Sequence, residues 1–427
     1  MHQPDFVFRG HLAAVNSVCF FSDDRLLVSG DQDGHLIVWN MMLKRQLAKV
    51  TSAHSAAILT VCGLGADTVV SQGRDNKLCI WTLVASEFSG ELRLVKSLAV
   101  DSMNFCKFSY ATIQSSSWIA FLVDAGAGEA CLLAVGSEEQ HSLNIGHKSR
   151  TKAGSRDDSP MCIKLVASGE SQQLELFVGY ESNMLQQFGI NTSDNKMSAV
   201  LKRSVTTVHT EPIMSLDYDS QRQLVYTCAA DNKVCCYTAD GSGFKEHAAA
   251  AELKNPGNSE IRCFSTLALV AVASWDYTVH LFTSDLEPTA SIAFHRAALT
   301  SVDVSTLSTA GADGIADEYV RQRWNSRSRW MAVASRDARI SLWDIGAVLA
   351  RARSCGAADT LVHYGVDLLL ISTALAGIRR STGLTPKLDD ANSTVQGVIK
   401  QYLDVGERVI DYAKPWMADS KLFKRQP

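Results

Sequence analysis

The chain has 427 residues, 46% of them hydrophobic and 20% charged, and a formal net charge of −4. That is ordinary globular composition, enough for two or three average domains or for one large repeat domain with an appendage. The near-neutral balance excludes a global basic field that would drive the chain onto nucleic acid or an anionic membrane, so only local patches remain for either.

The 11 cysteines show no Cys-x-x-Cys spacing, and Cys19, Cys62, Cys79, Cys228 and Cys263 sit in apolar, strand-like runs. This favours a reducing compartment with cysteines as small core residues, and no zinc site. Met1–Gly10 holds Asp5 and Arg9 and no apolar stretch, so no signal peptide is expected. There is no phosphate loop, metal-ligand cluster or paired-carboxylate motif, and the expectation is no metal, no cofactor and no small-molecule substrate.

In chain order, Asp5–Phe8 alternates and runs into Gly10-His11, Val15–Phe20 alternates, and Asp23-Asp24 marks a turn. Leu26–Ser29 is apolar, Asp33-Gly34 marks a second turn, and His35–Trp39 closes the unit. Echoes recur at Val70–Thr82, Tyr226–Thr238, Val272–Thr283 and Ala332–Ile345, each with an Asp about six residues before an aromatic. A Gly-His pair, an Asp and a closing Trp at these offsets resemble the WD40 repeat, which implies four strands per propeller blade.

The second unit opens at His54 and closes on Trp81. The third, about Leu98–Val135, lacks the signature, and Glu138–Asp158 reads as a polar loop. The fourth runs from Pro160 to Phe188 with Ser182 where the turn Asp belongs. The fifth spans His209–Tyr237, the sixth Asn255–Phe282, and the seventh runs from Phe294-His295 to Trp343, interrupted by an insertion at Ser308–Arg329. The fold expected is an all-β, seven-bladed WD40 β-propeller over residues 1–346, with Asp5–Arg9 as the outer strand of the last blade. A linker (347–359) and a short α-helical C-terminal segment (360–427) follow. Closure of this kind removes a free sheet edge.

The repeated polar residues suggest a buried relay in which the turn Asp holds the opening His, and a Ser or Thr two residues before the Asp links that imidazole to the closing indole. Counted this way, only the last blade has all four: His295, Ser335, Asp337 and Trp343. Blade one has Asp31 at the hydroxyl position, blade two Gly73 and blade five Ala229, while blade six keeps Ser274 and Asp276 but closes on Phe282. A Ser-His-Asp set can also be a hydrolase triad, but one that repeats with the blades and lacks a nucleophile elbow reads as structural. The chain is therefore expected not to be an enzyme.

The residue before each turn Asp, namely Gln32, Arg74, Ala230, Trp275 and Arg336, is expected at the rim of one propeller face. Arg74, Trp275 and Arg336 are candidate protein-binding residues, because Trp and Arg dominate interaction hot spots; loop packing is the alternative role for Trp275. The string Arg321–Trp330 interleaves basic and aromatic residues. It reads as a solvated loop rather than a contact for nucleic acid or an acidic partner.

Several strings resemble one family more narrowly: Ser71–Trp81, Pro160-Met161-Cys162, Val178–Glu181, His209–Met214, Leu253–Gly257, Ser274-Trp275-Asp276 and Ala293-Phe294-His295. They look like the G-protein beta-subunit-like protein 1 family, whose fungal members are called ASTRA-associated protein 1. The resemblance covers about Phe6–Ile345. It implies a non-enzymatic scaffold of nucleus and cytoplasm, working with the Tel2/Tti co-chaperone assembly that matures phosphatidylinositol-3-kinase-related kinases, and in fungi within the ASTRA complex linked to chromatin remodelling. A G-protein-beta-like signalling subunit is the other reading. No catalytic residue is carried over by either.

After Ile345 the repeat stops. Residues 361–378 form an apolar run near the lower limit for a membrane helix, and residues 392–414 carry apolar positions at helical spacing. The string from His363-Tyr364 to Arg379-Arg380-Ser381-Thr382-Gly383 resembles a family of short fungal proteins associated with mitochondrial membranes. Any membrane link is expected through this segment alone, which on its own points to a mitochondrial membrane. A segment of that kind behind a propeller implies a fusion or a merger of two neighbouring genes, and the merger is favoured.

Overall fold

The computed structural model describes residues 3–307 apart from 87, 103, 114–115, 152–153, 169–172, 194–195, 240–243 and 247–249. It also describes residues 325–352, 372–374, 376–381, 383 and 403–412. Two compact units result, Met1–Leu349 and Ala350–Pro427.

The first unit is a seven-bladed propeller. Blade one is Val15–Phe21, Leu26–Asp31, Leu36–Asn40 and Arg45–Val50, paired in that order, and blade two repeats the meander from Ile58–Leu64 to Gly90–Ala99. Blades four and six do the same from Pro160–Ser168 to Lys196–Thr206 and from Asn258–Phe264 to Pro288–Ala293. Blade five has a broken outer edge, two short strands (Lys245–Glu246 and Ala251–Glu252) pairing with Lys233–Thr238.

Blade seven contributes Leu299–Val304, Trp330–Ser335 and Arg339–Asp344. Its outer strand is Phe6–Arg9, in antiparallel register from Phe6 opposite Leu342 to Arg9 opposite Arg339. The N-terminal strand thus closes the ring on the last blade, as the sequence reading expects.

Blade three, which lacks the repeat signature, still forms four strands: Ser109–Ile113, Ser116–Asp124, Glu129–Ala134 and Gln140–Asn144. Its fourth strand lies inside the stretch read as a polar loop. The rest of that stretch holds a separate hairpin, His147–Thr151 with Gly154–Asp158. Only Leu143 of the fourth strand is buried, so an outer strand facing solvent reads as a loop by composition.

The core is a ring of inter-blade clusters. One joins blades one, two and three through Val28, Ile58, Val70 and Leu133, and another joins blades seven and one through Trp330, Leu342, Phe8 and Trp39. Inner strands are buried on both faces, which is why they read as continuous apolar runs. The ten described cysteines are free thiols, nine of them buried, with Cys19 and Cys62 approaching to 3.6 Å between Sγ atoms.

In six of the seven blades the innermost strand carries a register shift near its start. The displaced residues are Asn16, Leu59, Met161, Met214, Ser259 and Thr300. A bulge of this kind re-aims one side chain out of the sheet. Here it brings five of these residues, all but Met161, to one mouth of the channel.

The insertion at 308–329 lies outside the described residues as far as 324. Within its described end, residues 325–327 form a helical turn, Arg327 donates to the Asp23 carbonyl at 3.1 Å, and Arg329 pairs with Asp344 at 3.1 Å. The described end of the basic string is therefore held against the blade body and is no solvated loop.

Residues 345–352 are helical and carry buried Ile345 and Val348. In the second unit, Arg380 bonds Glu407 at 2.6 Å and Asp411 at 2.7 Å, and a Cβ on Gly406 would stand 2.2 Å from the Ser372 carbonyl oxygen. The stretches 376–381 and 403–412 are therefore in contact. The candidate membrane helix at 361–378 falls outside the described residues up to 371, and no described helix is long and apolar enough to cross a membrane. Of the helix expected at 392–414, residues 403–412 are described and helical.

Candidate protein-interaction face

The buried relays come first, because they hold the turns that carry the face. In blade two, His54 meets Asp75 at 2.9 Å and Ser71 at 2.8 Å, and the Trp81 indole donates to Ser71 at 2.9 Å. In blade one, His11 meets Asp31 and Ser29, both at 2.7 Å, with Trp39 donating to Ser29 at 2.8 Å. Blade five uses His209, Asp231 and Thr227, and closes on Tyr237, whose hydroxyl accepts from the Val208 amide.

Blade seven corrects the expected set. His295 contacts Asp337 at 3.0 Å, but its other nitrogen and the Trp343 indole both reach Ser341, each at 2.8 Å. Ser335 donates instead to the Ala297 carbonyl at 3.0 Å. The hydroxyl belongs four residues before the turn Asp, not two, as Ser71 and Thr227 show. In blade seven that position is Val333. Ser341 stands directly opposite Val333 on the next strand and takes over the bond.

So blades one and two also carry complete sets, and Asp31 is blade one's acceptor rather than a hydroxyl substitute. In blade two the position two before the Asp must be small, since a Cβ on Gly73 would come within 2.3 Å of the His54 ring; in blade one that position holds Asp31, which itself takes the bond from His11.

Every polar atom is satisfied when the indole donates to the hydroxyl, the hydroxyl to the imidazole, and the imidazole to the carboxylate. Burial opposes charge on Asp31, Asp75, Asp231 and Asp337. Bonds from the histidine and from backbone amides outweigh it, and all four carboxyls sit below their ordinary value. Ser29, Ser71 and Ser341 are fully buried, each with an imidazole and an indole on its oxygen, so none presents a face to a substrate.

Blades three and four fasten the same turn from the other side. Ser182 donates to Asp158, which lies before the blade's first strand, and the Ser182 amide adds a bond at 3.1 Å. In blade three Asp101 accepts from the Ala125 amide at 2.9 Å. The turn at Ser182 therefore does have a carboxylate acceptor, which the sequence reading missed.

On this frame the residue before the turn Asp is placed by one repeated bond. The amides of Gln32, Arg74, Trp275 and Arg336 donate to the carbonyls of Ala14, Ala57, Gly257 and Ala298, each two residues before a bulge residue. Arg74, Trp275 and Arg336 consequently line a single cavity of about 190 Å³ at the channel mouth. Ala230 does not line it. Asn16, Leu59, Met214, Ser259 and Thr300, all bulge residues, complete the inner lining, with Gln32, Phe105 and Lys107.

Trp275 is 43% exposed and rests on Gly257, whose φ is +99° and where a Cβ would lie 2.1 Å from the indole. Only glycine fits there. Trp275 thus packs its loop and presents a face to solvent. Phe105 is 53% exposed and lies under the Arg74 guanidinium at 4.8 Å.

Deeper in the channel, charges face one another. Lys107 and Arg262 pair with Glu260 at 3.1 and 2.7 Å, Arg262 lies 3.6 Å from Asp303, and Lys164 pairs with Asp217 at 2.6 Å. The same acids stitch neighbouring blades, since Cys263, Val302 and Phe20 amides donate to Asp217, Glu260 and Asp303. Ser17, Ser109, Ser215 and Ser301 do likewise for Val61, Leu165, Ile261 and Val18. Innermost strands have no strand partner on the channel side, and these bonds satisfy amides left free there. Burial pushes Asp303 up to about 6. With three cations against three anions, the channel interior is a structural seam. No group of three or more potential metal ligands stands together among the described residues.

Comparisons with known proteins agree with this architecture. The WD domain, G-beta repeat family matches residues 2–40 and 202–238, and the Mitofissin family matches residues 359–425. Guanine nucleotide-binding protein subunit beta-like protein 1 of Mus musculus is 27% identical over 349 residues, covering 80% of this chain and 96% of the relative. ASTRA-associated protein 1 of Verticillium alfalfae is 26% identical over 388 residues (80% and 92%), and that of Schizosaccharomyces pombe 24% identical over 392 residues (80% and 98%).

Proposed function

We propose that this chain, a WD40 β-propeller homologous to ASTRA-associated protein 1 and carrying a mitofissin-type segment behind it, is a non-enzymatic scaffold that holds protein partners at the channel mouth. The observation that supports this best is the convergence of Arg74, Trp275 and Arg336 on one exposed cavity whose floor is built from bulge residues. Exposed aromatic and arginine side chains on a rigid frame are the usual anchors of a protein interface. The partner class follows from the relatives' names and the family resemblance: subunits of the ASTRA complex and a Tel2/Tti-type co-chaperone, with phosphatidylinositol-3-kinase-related kinases as clients, in nucleus and cytoplasm. Arg74, Trp275 and Arg336 are its binding residues in this reading.

Affinity capture of the full chain from native extracts, followed by mass spectrometry, tests the reading. Recovery of Tel2/Tti-type or ASTRA subunits is expected. Their consistent absence would sink it.

The C-terminal unit supports a second reading confined to itself. The Mitofissin match over 359–425 points to a mitochondrial membrane role distinct from that of the propeller. Whether the two travel together is answered by the intact mass of the native protein, or by one transcript spanning residues 340–365. Separate products would make the segment an independent protein.

A further inference from the structure

Six side chains follow one another around the channel mouth, from blade six to the connection entering blade three: Trp275, Arg336, Asn16, Gln32, Arg74 and Phe105. The sequence is aromatic, cation, amide pair, cation, aromatic. Blade one carries the amides and lies at the centre.

The arginines are exposed, and no described carboxylate bonds either guanidinium. Lys107, deeper in the mouth, is already matched by Glu260. Two uncompensated cations on a chain of net charge −4 make a local field that favours anionic side chains. They sit on blades either side of blade one, with the Asn16–Gln32 pair between them, so each suits its own carboxylate.

The remaining parts are held ready. Arg74 is fixed over Phe105, and Trp275 is seated on Gly257. The Asn16 amide group donates to Gln32 Oε1 at 3.1 Å and to the Ile58 carbonyl at 2.9 Å. That leaves Gln32 Nε2 as a donor and Asn16 Oδ1 as an acceptor in the cavity lining, a pair matched to the N–H and C=O of one residue of an extended chain.

We propose that this arc binds an extended segment of a partner protein, with two acidic residues flanking a short spacer and an apolar or aromatic residue outside each acid. The proposal rests on the reading of the mouth as the partner-binding face, and adds the chemistry it selects.

The test is fluorescence anisotropy of the full chain with fluorescein-labelled peptides whose core is Leu-Glu-Ser-Glu-Leu. Lys-for-Glu, Ala-for-Leu and phosphoserine-for-Glu versions serve as comparators. The acidic peptide is expected to bind with an affinity that falls as salt rises, and Arg74→Glu and Arg336→Glu are each expected to weaken it about tenfold or more. Trp275→Ala should weaken the Leu peptide and leave the Ala version unchanged. Equal binding of the Lys peptide, indifference to both charge reversals, or tighter binding of the phosphoserine peptide would each overturn the assignment. Both arginines are exposed, so the variants should melt as wild type does. If no peptide binds while Arg74→Glu/Arg336→Glu still abolishes partner capture, the chemistry assigned is wrong and the face stands. If capture survives the same variant, the face itself is wrong.

Discussion

Blades two and four solve one problem in opposite ways. In blade two the carboxylate (Asp75) is in the hairpin turn and reaches back to His54 in the preceding connection; in blade four the carboxylate (Asp158) is in the connection and reaches forward to Ser182 in the turn. The requirement is a charge-assisted bond tying the turn to the entering strand. The residue that carries it is free to change sides. The WD40 signature marks only the first solution, so blade four looks defective by sequence while its turn is fastened all the same.

The two solutions differ in what depends on them. Blade two's relay also satisfies a buried indole, so His54→Ala should be the most damaging single change, costing about 3 kcal/mol through a cavity and orphaned Ser71, Trp81 and Asp75 groups. Chemical denaturation reads it directly. Asp158→Ala removes the tie without stranding a tryptophan and should cost about 1–2 kcal/mol. Equal losses would mean that the indole adds nothing.

Blade seven sharpens the point within one relay. Ser341→Ala should cost about 2 kcal/mol because it strands both His295 and Trp343, whereas Ser335→Ala should cost well under half of that. The reverse order would restore Ser335 to the relay.

The smallest effect is in pH dependence. The lowered carboxyls of Asp31, Asp75, Asp231 and Asp337 supply stability that is complete above the ordinary carboxylate range and is lost as pH falls through their folded values. Asp24 and Asp303 oppose this. Burial raises them to about 7 and about 6, so their contribution is present at low pH and lost as pH rises through those values. Asp24→Asn should therefore raise the melting temperature more at pH 8 than at pH 4.5. A uniform change across that range would contradict the assignment.

Much of the propeller is legible because turn Asp, closing aromatic and spacing recur together, and because Phe6–Arg9 alternates as a lone strand must. The rim residues are legible for the same reason, since Arg74, Trp275 and Arg336 occupy one fixed position of the repeat. Their neighbours are not. Phe105 lies in the connection to a blade without the signature, and the bulges that aim Asn16, Leu59 and Met214 leave no mark in composition. By sequence Ser335 reads as a relay member because residues two and four before the Asp share a strand face, and alternation cannot choose between them. Only the register, with Ser341 opposite Val333, decides.

The most direct test of the central claim is a side-by-side affinity capture with the full-length wild-type chain and an Arg74→Glu/Trp275→Ala/Arg336→Glu variant of matched expression and melting temperature. The account predicts that wild type recovers co-chaperone or ASTRA subunits and that the variant loses them. Equal recovery by both would place the partner surface elsewhere on the propeller.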